Sequence, residues 1–424
     1  IKVYSQESHF GKLKIIENTK DKVKIGISSS YQGKNPNFME IFLDGNKVSE
    51  FVQGNKNLDF LKYTPYEVAF RLKPKAKTLI LGSGGGLDVL ASIHFQASKI
   101  HAVEKNHQII ALLKDRFSHY TGGIYNNLNV IFYRSEIRPF AQSCDKKYDL
   151  VQVRLPMVSG DSFREEPNYT LTVESIKKYL KLLNKNGVIM INSYLQKPPR
   201  LSLRIISTVK KVFEDSKLNI KNKIYSFSTP DNFILFIKKE DFTFEEKSNL
   251  NLIIQELKYE TIYPIDKIVN DYQKYSNAII NNIDKEFDKF SFSTSPITDS
   301  SPYLFYSVKF SSIFSEVPKD ELGYVLIWIT FILVLLISVS IIYLPIMIKK
   351  DYGKKIHISK VIFFFGGIGF GYMMIEMILI QKLYILLSSL ILSACVVFVS
   401  LFLFSGLGIY VSRKFKKKTT GLFI

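Results

Sequence analysis

TLILGSGGGLD, residues Thr78–Asp88, packs an apolar run, a glycine turn and the start of a helix into one short stretch. Thr78–Leu81 is long enough for a buried strand. Gly82, Ser83, Gly84, Gly85 and Gly86 follow at once, and Asp88 opens a helix expected over residues 88–96. Glycines let the backbone come close to a ligand, and a helix N-terminus offers N–H groups with no partner in the helix. The order strand, glycine turn, helix therefore reads as an anion- and nucleotide-binding corner. A second strand, Lys99–Val103, ends in Glu104, about 20 residues beyond the turn, where an acid can accept hydrogen bonds from ribose hydroxyls. The competing reading is a Rossmann-like scaffold that keeps its shape without a ligand.

Outward from the corner, residues 66–240 alternate strand and helix. Strands are expected at Ile100–Val103, Val130–Tyr133, Asp149–Val153 and Val188–Asn192, with a closing antiparallel pair at Ile220–Ser226 and Asn232–Lys238. Such alternation predicts a mostly parallel sheet covered by helices, with ligands beyond the carboxyl ends of its strands. The residues to inspect are then Gly82–Gly86, Glu104, Ser135, Glu136 and Arg154. Residues 1–65 read as a small β-rich domain with strands at Gly11–Glu17, Lys22–Ser28 and Met39–Leu43 and a turn at Asp44-Gly45-Asn46. Residues 241–322 read as a polar, partly helical connector. Residues 323–424 read as a membrane domain of about three transmembrane helices, Gly323–Leu344, Val361–Leu387 and Leu390–Ser412.

The chain has 424 residues and a formal net charge of +19. No single basic helix, zinc finger or RNA-recognition signature gathers that charge, which argues against nucleic acid as a partner. The six histidines show no metal-binding spacing, and the two cysteines, Cys144 and Cys395, define no disulfide framework. The chain begins at Ile1, leaving room for an upstream segment. Basic clusters at Lys349–Lys355 and Arg413–Lys418 belong on the cytoplasmic side. With three spans this puts residues 1–322 outside, against the supply of a nucleoside cofactor, so orientation stays open. Glu376, in GGIGFGYMMIE within the second span, is a candidate intramembrane site, or a structural hydrogen-bond partner of Gln381 or a neighbouring helix.

With these residues in view, the chain resembles the spermidine synthase (polyamine aminopropyltransferase) family, most of all its membrane-attached bacterial branch. ESHFGKL (Glu7–Leu13) resembles the family's opening strand, and LGSGGGLDVLAS its cofactor motif, shared with class I methyltransferases. AVEKN (Ala102–Asn106) resembles its ribose-binding strand end, and EPNYTLTVE (Glu166–Glu174) its E-N-Y-x-x-T-x-E segment. Thr298–Tyr306, GFGYMMIEMILIQKL and LFLFSGLG resemble the stretch before the membrane helices and the helix signatures of that branch. The resemblance implies a Rossmann-like methyltransferase domain behind a small β-domain. It also implies a ligand such as decarboxylated S-adenosylmethionine or S-adenosylmethionine, and no metal. Gly82, Ser83, Gly84, Gly85, Gly86 and Asp88 would face its tail, Glu104 its ribose, and Ser135 and Glu136 its adenine. The family's Asp after the fourth strand, which positions and deprotonates the attacking amine, is Arg154 here, and a guanidinium stays protonated. Asp161, Glu165 and Glu166 are the carboxylates that could replace it.

Two functions follow as expectations. One is a transferase of methyl or aminopropyl groups, anchored in a bacterial inner membrane, with a basic mouth around Arg154 suited to a neutral or anionic acceptor. The other is a catalytically inactive member of that fold, used as a docking, regulatory or structural module. The lipid bilayer is the expected partner, with other membrane subunits or a second copy as further candidates. Soluble polyamine synthases are commonly dimers, which the resemblance carries over only as an implication.

Overall fold

The computed structural model describes residues 2–8, 11–18, 23–155, 167–283, 292–305, 322–348, 358–387 and 390–415. The chain divides into two compact units, Ile1–Tyr324 and Val325–Ile424.

The first unit opens with an antiparallel sheet of β1 (Lys2–Ser8), β2 (Gly11–Asn18), β3 (Phe38–Leu43) and β4 (Asn46–Val52), paired in that order. The β3–β4 hairpin turns at Asp44 and Gly45, both with positive φ (50° and 86°), as a two-residue hairpin loop requires. The expected strand Lys22–Ser28 does not form within the described residues. Val23 and Ile25 are buried, which is the alternation that suggests a strand. Gly26, at φ 78°, turns the chain out of the extended path, and the Ser28 N–H bonds the Tyr63 carbonyl. β4 has no strand signature because Glu50, Phe51 and Val52 are buried consecutively.

A second, eight-stranded sheet follows. Its strands are β5 (Lys77–Leu81), β6 (Lys99–Glu104), β7 (Val130–Arg134), β8 (Tyr148–Arg154), β9 (Leu183–Tyr194), β10 (Ile224–Ser228), β11 (Asn232–Lys238) and β12 (Glu260–Tyr263). In space they run β7-β6-β5-β8-β9-β11-β10-β12, parallel from β7 to β9 and antiparallel beyond. One face packs on α1 (Pro65–Leu72), α2 (Leu87–His94), α3 (His107–Lys114) and the small sheet. The other packs on α5 (Ile137–Ser143), α6 (Val173–Lys181) and α7 (Leu201–Asp215), with a short α4 (Ser118–Thr121) between α3 and β7. Within residues 241–322, expected as a polar, partly helical connector, the described residues supply α8 (Phe244–Glu256), edge strand β12 and α9 (Asp271–Asn281) to this body. Ile262 of β12 is fully buried, and α9 packs on α7.

β5 lies between β6 and β8, so the chain winds one way from β5 to β7 and the other way from β8 onward. That reversal opens a crevice beyond the carboxyl ends of β5 and β8, where sheets of this kind hold ligands.

The second unit contains most of α10 (Leu322–Ile348), with α11 (Ile358–Leu387) and α12 (Leu390–Phe415). Phe363–Leu383 and Leu392–Ser412 are each 21 residues long and apolar enough to cross a membrane, and Leu326–Ile341 is a shorter apolar stretch. α11 and α12 pack on one another, burying Ile380, Ser393 and Val397, while Phe370, Phe402 and Phe404 point outward.

Candidate functional site

The glycine turn fills the start of the crevice. Gly82, Gly84 and Gly86 have positive φ (80°, 47° and 84°), which folds the chain sharply from β5 into α2. All five N–H groups of residues 82–86 donate within the protein. Gly82 and Ser83 bond the Val103 carbonyl, both at 3.0 Å, and Gly86 bonds the Ser83 carbonyl. The Gly84 N–H bonds Glu104 Oε2 at 2.9 Å, and the Gly85 N–H bonds Ser49 Oγ of β4 at 2.8 Å.

What the missing side chains make room for is also protein. A Cβ on Gly85 would fall 2.0 Å from the Glu50 carbonyl oxygen, one on Gly84 2.6 Å from Ser49 Oγ, and one on Gly86 2.4 Å from Ile124 Cδ1. For residues 84–86 the sequence expectation is a ligand's close approach. Their glycines admit the β4 backbone and Ile124, and their amides are already spent. Nothing in the one-dimensional pattern distinguishes a ligand's close approach from that of a second sheet.

Glu104 ends β6 as expected. Its Oε2 accepts from Gly84 and its Oε1 from the Asn106 N–H at 3.0 Å. A carboxylate has about four acceptor positions, so one lone pair on each oxygen remains. Ser135 and Glu136 follow β7 directly beside it: Arg134 pairs with Glu104 in register, and the Ser135 N–H bonds the Glu104 carbonyl at 3.3 Å. The structure therefore brings Glu104, Ser135 and Glu136 together at one edge of the crevice.

Asp88 and Ser83 are turned inward. Asp88 is 3% exposed, and its Oδ1 accepts from the Tyr66 hydroxyl at 2.9 Å. Burial raises its pKa, an effect that the Arg154 charge and the Tyr66 bond only partly offset. Ser83 Oγ accepts from the Tyr125 hydroxyl at 3.0 Å.

Arg154 ends β8 and forms no basic mouth. Its Nη2 donates to Glu50 Oε1 of β4; Glu50 is buried (5% exposed) and Arg154 partly so (16%). The second Glu50 oxygen lies 3.3 Å from Lys47 Nζ, which in turn lies 2.7 Å from Glu40. Burial drives the Glu50 pKa up, but the charges of Arg154 and Lys47 outweigh it and leave the carboxyl below its ordinary value. Glu50, Tyr66, Lys47 and Tyr125 escape a sequence reading because they lie outside the glycine motif and reach it only when the two sheets meet.

No family model matches the chain, and no curated protein matches it. Among solved structures it is similar to a probable spermidine synthase from Corynebacterium glutamicum ATCC 13032, at 13% identity over 70% of this chain and 96% of that one, with a TM-score of 0.45. It is similar to spermidine synthase from Thermotoga maritima, at 15% identity over 67% of this chain and 87% of that one (TM-score 0.39). A human methyltransferase-like protein 13 in complex with SAH matches at 18% identity over 48% of this chain and 89% of that one (TM-score 0.33). The fold is a mixed α/β, Rossmann-like sheet with a small antiparallel sheet packed on one face.

The carboxylates Asp161, Glu165 and Glu166 lie outside the described residues. The segment that follows them is described, and it is tied to residues 292–305. The Asn168 N–H bonds the Pro302 carbonyl at 2.6 Å, the Val173 N–H bonds the Ile297 carbonyl, and Glu174 accepts from the Asp299 N–H at 2.9 Å. Arg138 grips Asp299 with both terminal nitrogens and also donates to Thr172 and Ser175. Arg204 donates to the carbonyls of Tyr303 and Leu304. The two stretches read separately in the sequence, EPNYTLTVE and Thr298–Tyr306, thus meet along residues 168–174 and 297–302.

In the second unit, Glu376 is half-buried on α11 and Gln381 is exposed. Five helical residues separate them by about 140° around the axis.

Proposed function

We propose that this is a membrane-attached, spermidine synthase-like transferase whose first unit takes an S-adenosyl nucleoside at the β5–β6 corner. The supporting observation is the Glu104 carboxylate. Two backbone N–H groups fix it at the strand end and leave one acceptor position on each oxygen, as a ribose diol needs. Ser135 and Glu136 follow beside it and would border the base.

The residues present fit the nucleoside better than they fit an anionic tail. All five amides of residues 82–86 are already used, so the turn has no N–H of its own for a carboxylate. That favours decarboxylated S-adenosylmethionine over S-adenosylmethionine, and aminopropyl over methyl transfer. When bound, such a group supplies an electrophilic carbon next to its sulfonium. The chain's own part is to hold the ribose through Glu104 and to shield the corner with β4. The apolar outward faces of α11 and α12 support attachment to a bilayer.

Titration of the full chain in detergent with both S-adenosyl compounds and methylthioadenosine tests the reading. Micromolar binding that weakens at least about tenfold in Glu104→Ala is expected, since a lost charge-assisted pair of hydrogen bonds removes roughly 1.5–3 kcal/mol. Absence of binding to folded chain would sink it. A second reading, a catalytically inactive module, is favoured by one observation: the Arg154–Glu50 pair at the switch point. Nucleoside binding with no turnover on any amine acceptor would select it.

A further inference from the structure

α7 follows β9, so it opens at the carboxyl edge of the large sheet. Its start is buried: Arg200, Leu201, Ser202, Leu203 and Arg204 are 3%, 3%, 4%, 0% and 4% exposed. The first N–H groups of an α-helix have no carbonyl of their own helix to meet, so a buried start needs acceptors from elsewhere. One is present. The Leu201 N–H bonds Gln196 Oε1 at 3.1 Å, and from Arg204 onward the helix serves itself, with the Arg204 N–H on the Arg200 carbonyl. Between them, the N–H groups of Ser202 and Leu203 have no acceptor among the described residues. The N-cap is Arg200, whose guanidinium has no acceptor to offer and lies 4.9 Å from the centre of the Phe292 ring. The first turn holds no acid. Ser202 Oγ is itself without a partner among the described residues. Side chains on a helix tilt towards its N-terminus, which aims this hydroxyl at the end where the two N–H groups emerge. Ser193 of β9, 1% exposed on the sheet face that α7 covers, has an unpartnered Oγ as well among the described residues.

We propose that the start of α7 binds an oxyanion group, the carboxylate or phosphate of a small-molecule ligand. The N–H groups of Ser202 and Leu203 and the Ser202 hydroxyl donate to its oxygens. A water molecule would meet the same donors but gains nothing from charge, whereas the positive end of a 15-residue helix with an arginine at its N-cap selects an anion. The consequence for substrate class rests on the transferase reading. β6 and β9 run parallel, so α7 opens at the same edge of the sheet as the Glu104 corner, and the acceptor then carries an anionic group. The anion site itself does not depend on that reading.

The full chain in detergent is unfolded thermally in chloride, acetate or inorganic phosphate at one pH and ionic strength, and acetate and phosphate binding are measured by calorimetry. Wild type should unfold roughly 2 °C or more higher in acetate or phosphate than in chloride, and the better-bound probe names the group. Ser202→Ala should weaken that binding roughly tenfold or more, because a hydrogen bond to a charged group is lost. Ser202→Asp brings its own carboxylate to the helix start. It should unfold at a higher temperature than wild type in chloride and no longer respond to added anion. If that variant does not fold, wild type against Ser202→Ala decides. An equal response of the two would mark an adventitious ion only, and no response of wild type to either probe would leave the donors to water; each result overturns the proposal. No nucleoside enters the assay, so its failure is separable from failure of the transferase reading.

Discussion

His101 sits inside β6, and its Nδ1 shares a hydrogen bond of 2.8 Å with the Tyr148 hydroxyl. Burial, and then the positive charges of Lys146, Lys77 and Lys99, lower its pKa to about 4. The folded value lies below the ordinary 6.5, so the folded chain prefers the neutral ring. The contribution to stability is full above pH 6.5 and is lost as pH falls towards 4, up to roughly 3 kcal/mol. Denaturant unfolding at pH 7.5 and at pH 4.5 should therefore show a larger loss for wild type than for His101→Phe. Equal losses would mean that the ring is protonated in the folded chain. Tyr66 offers a second single-residue test. Tyr66→Phe leaves the buried Asp88 carboxyl without its donor and should cost about 1–3 kcal/mol in the same measurement at neutral pH.

Among elements, the contact between β4 and the glycine turn is the tightest in the site. Gly85→Ala would drive a methyl group into the Glu50 carbonyl oxygen at 2.0 Å, where backbone cannot yield as a side-chain tip can. The expected loss is about 3 kcal/mol, the upper end for overpacking, with faster amide exchange across both β4 and residues 82–86. The strap of residues 292–305 makes a different prediction. Asp299→Ala removes the partner of the Arg138 fork and one cap on Thr172, so exchange should rise at residues 297–302 and 168–174 together. A rise in only one of the two stretches would show that they are not fastened to each other. These two contacts also mark what the sequence conveys and what it withholds. Thr78–Asp88 and Glu104 announce the parallel sheet and its corner, because strand, turn and helix are local signals. The Gly85 amide's bond to Ser49, the inward Asp88 and the Arg154–Glu50 pair depend on residues 22 to 104 positions apart. Local pattern is silent at that separation. β12 was hidden for a related reason: a four-residue edge strand carries too little alternation to stand out from a polar stretch.

For the whole molecule, the second unit presents apolar side chains on nearly every face of α11 and α12, a surface that water does not stabilise. The chain should stay with membranes through an alkaline wash and leave them only with detergent, and release by the wash alone would remove the bilayer from the account. In the first unit, two sheets meet across a seam in which one side is frozen and the other is paired. Gly85 confronts backbone, so no change at position 50 can relieve it. Glu50 and Arg154 confront each other as charges, so either one alone becomes costly when its opposite is lost. Descendants of this chain should accordingly keep glycine at 85 without exception and exchange 50 and 154 as a couple, acid with base or neutral with neutral. The seam would then be legible as correlated inheritance, in an alignment that knows nothing of distances.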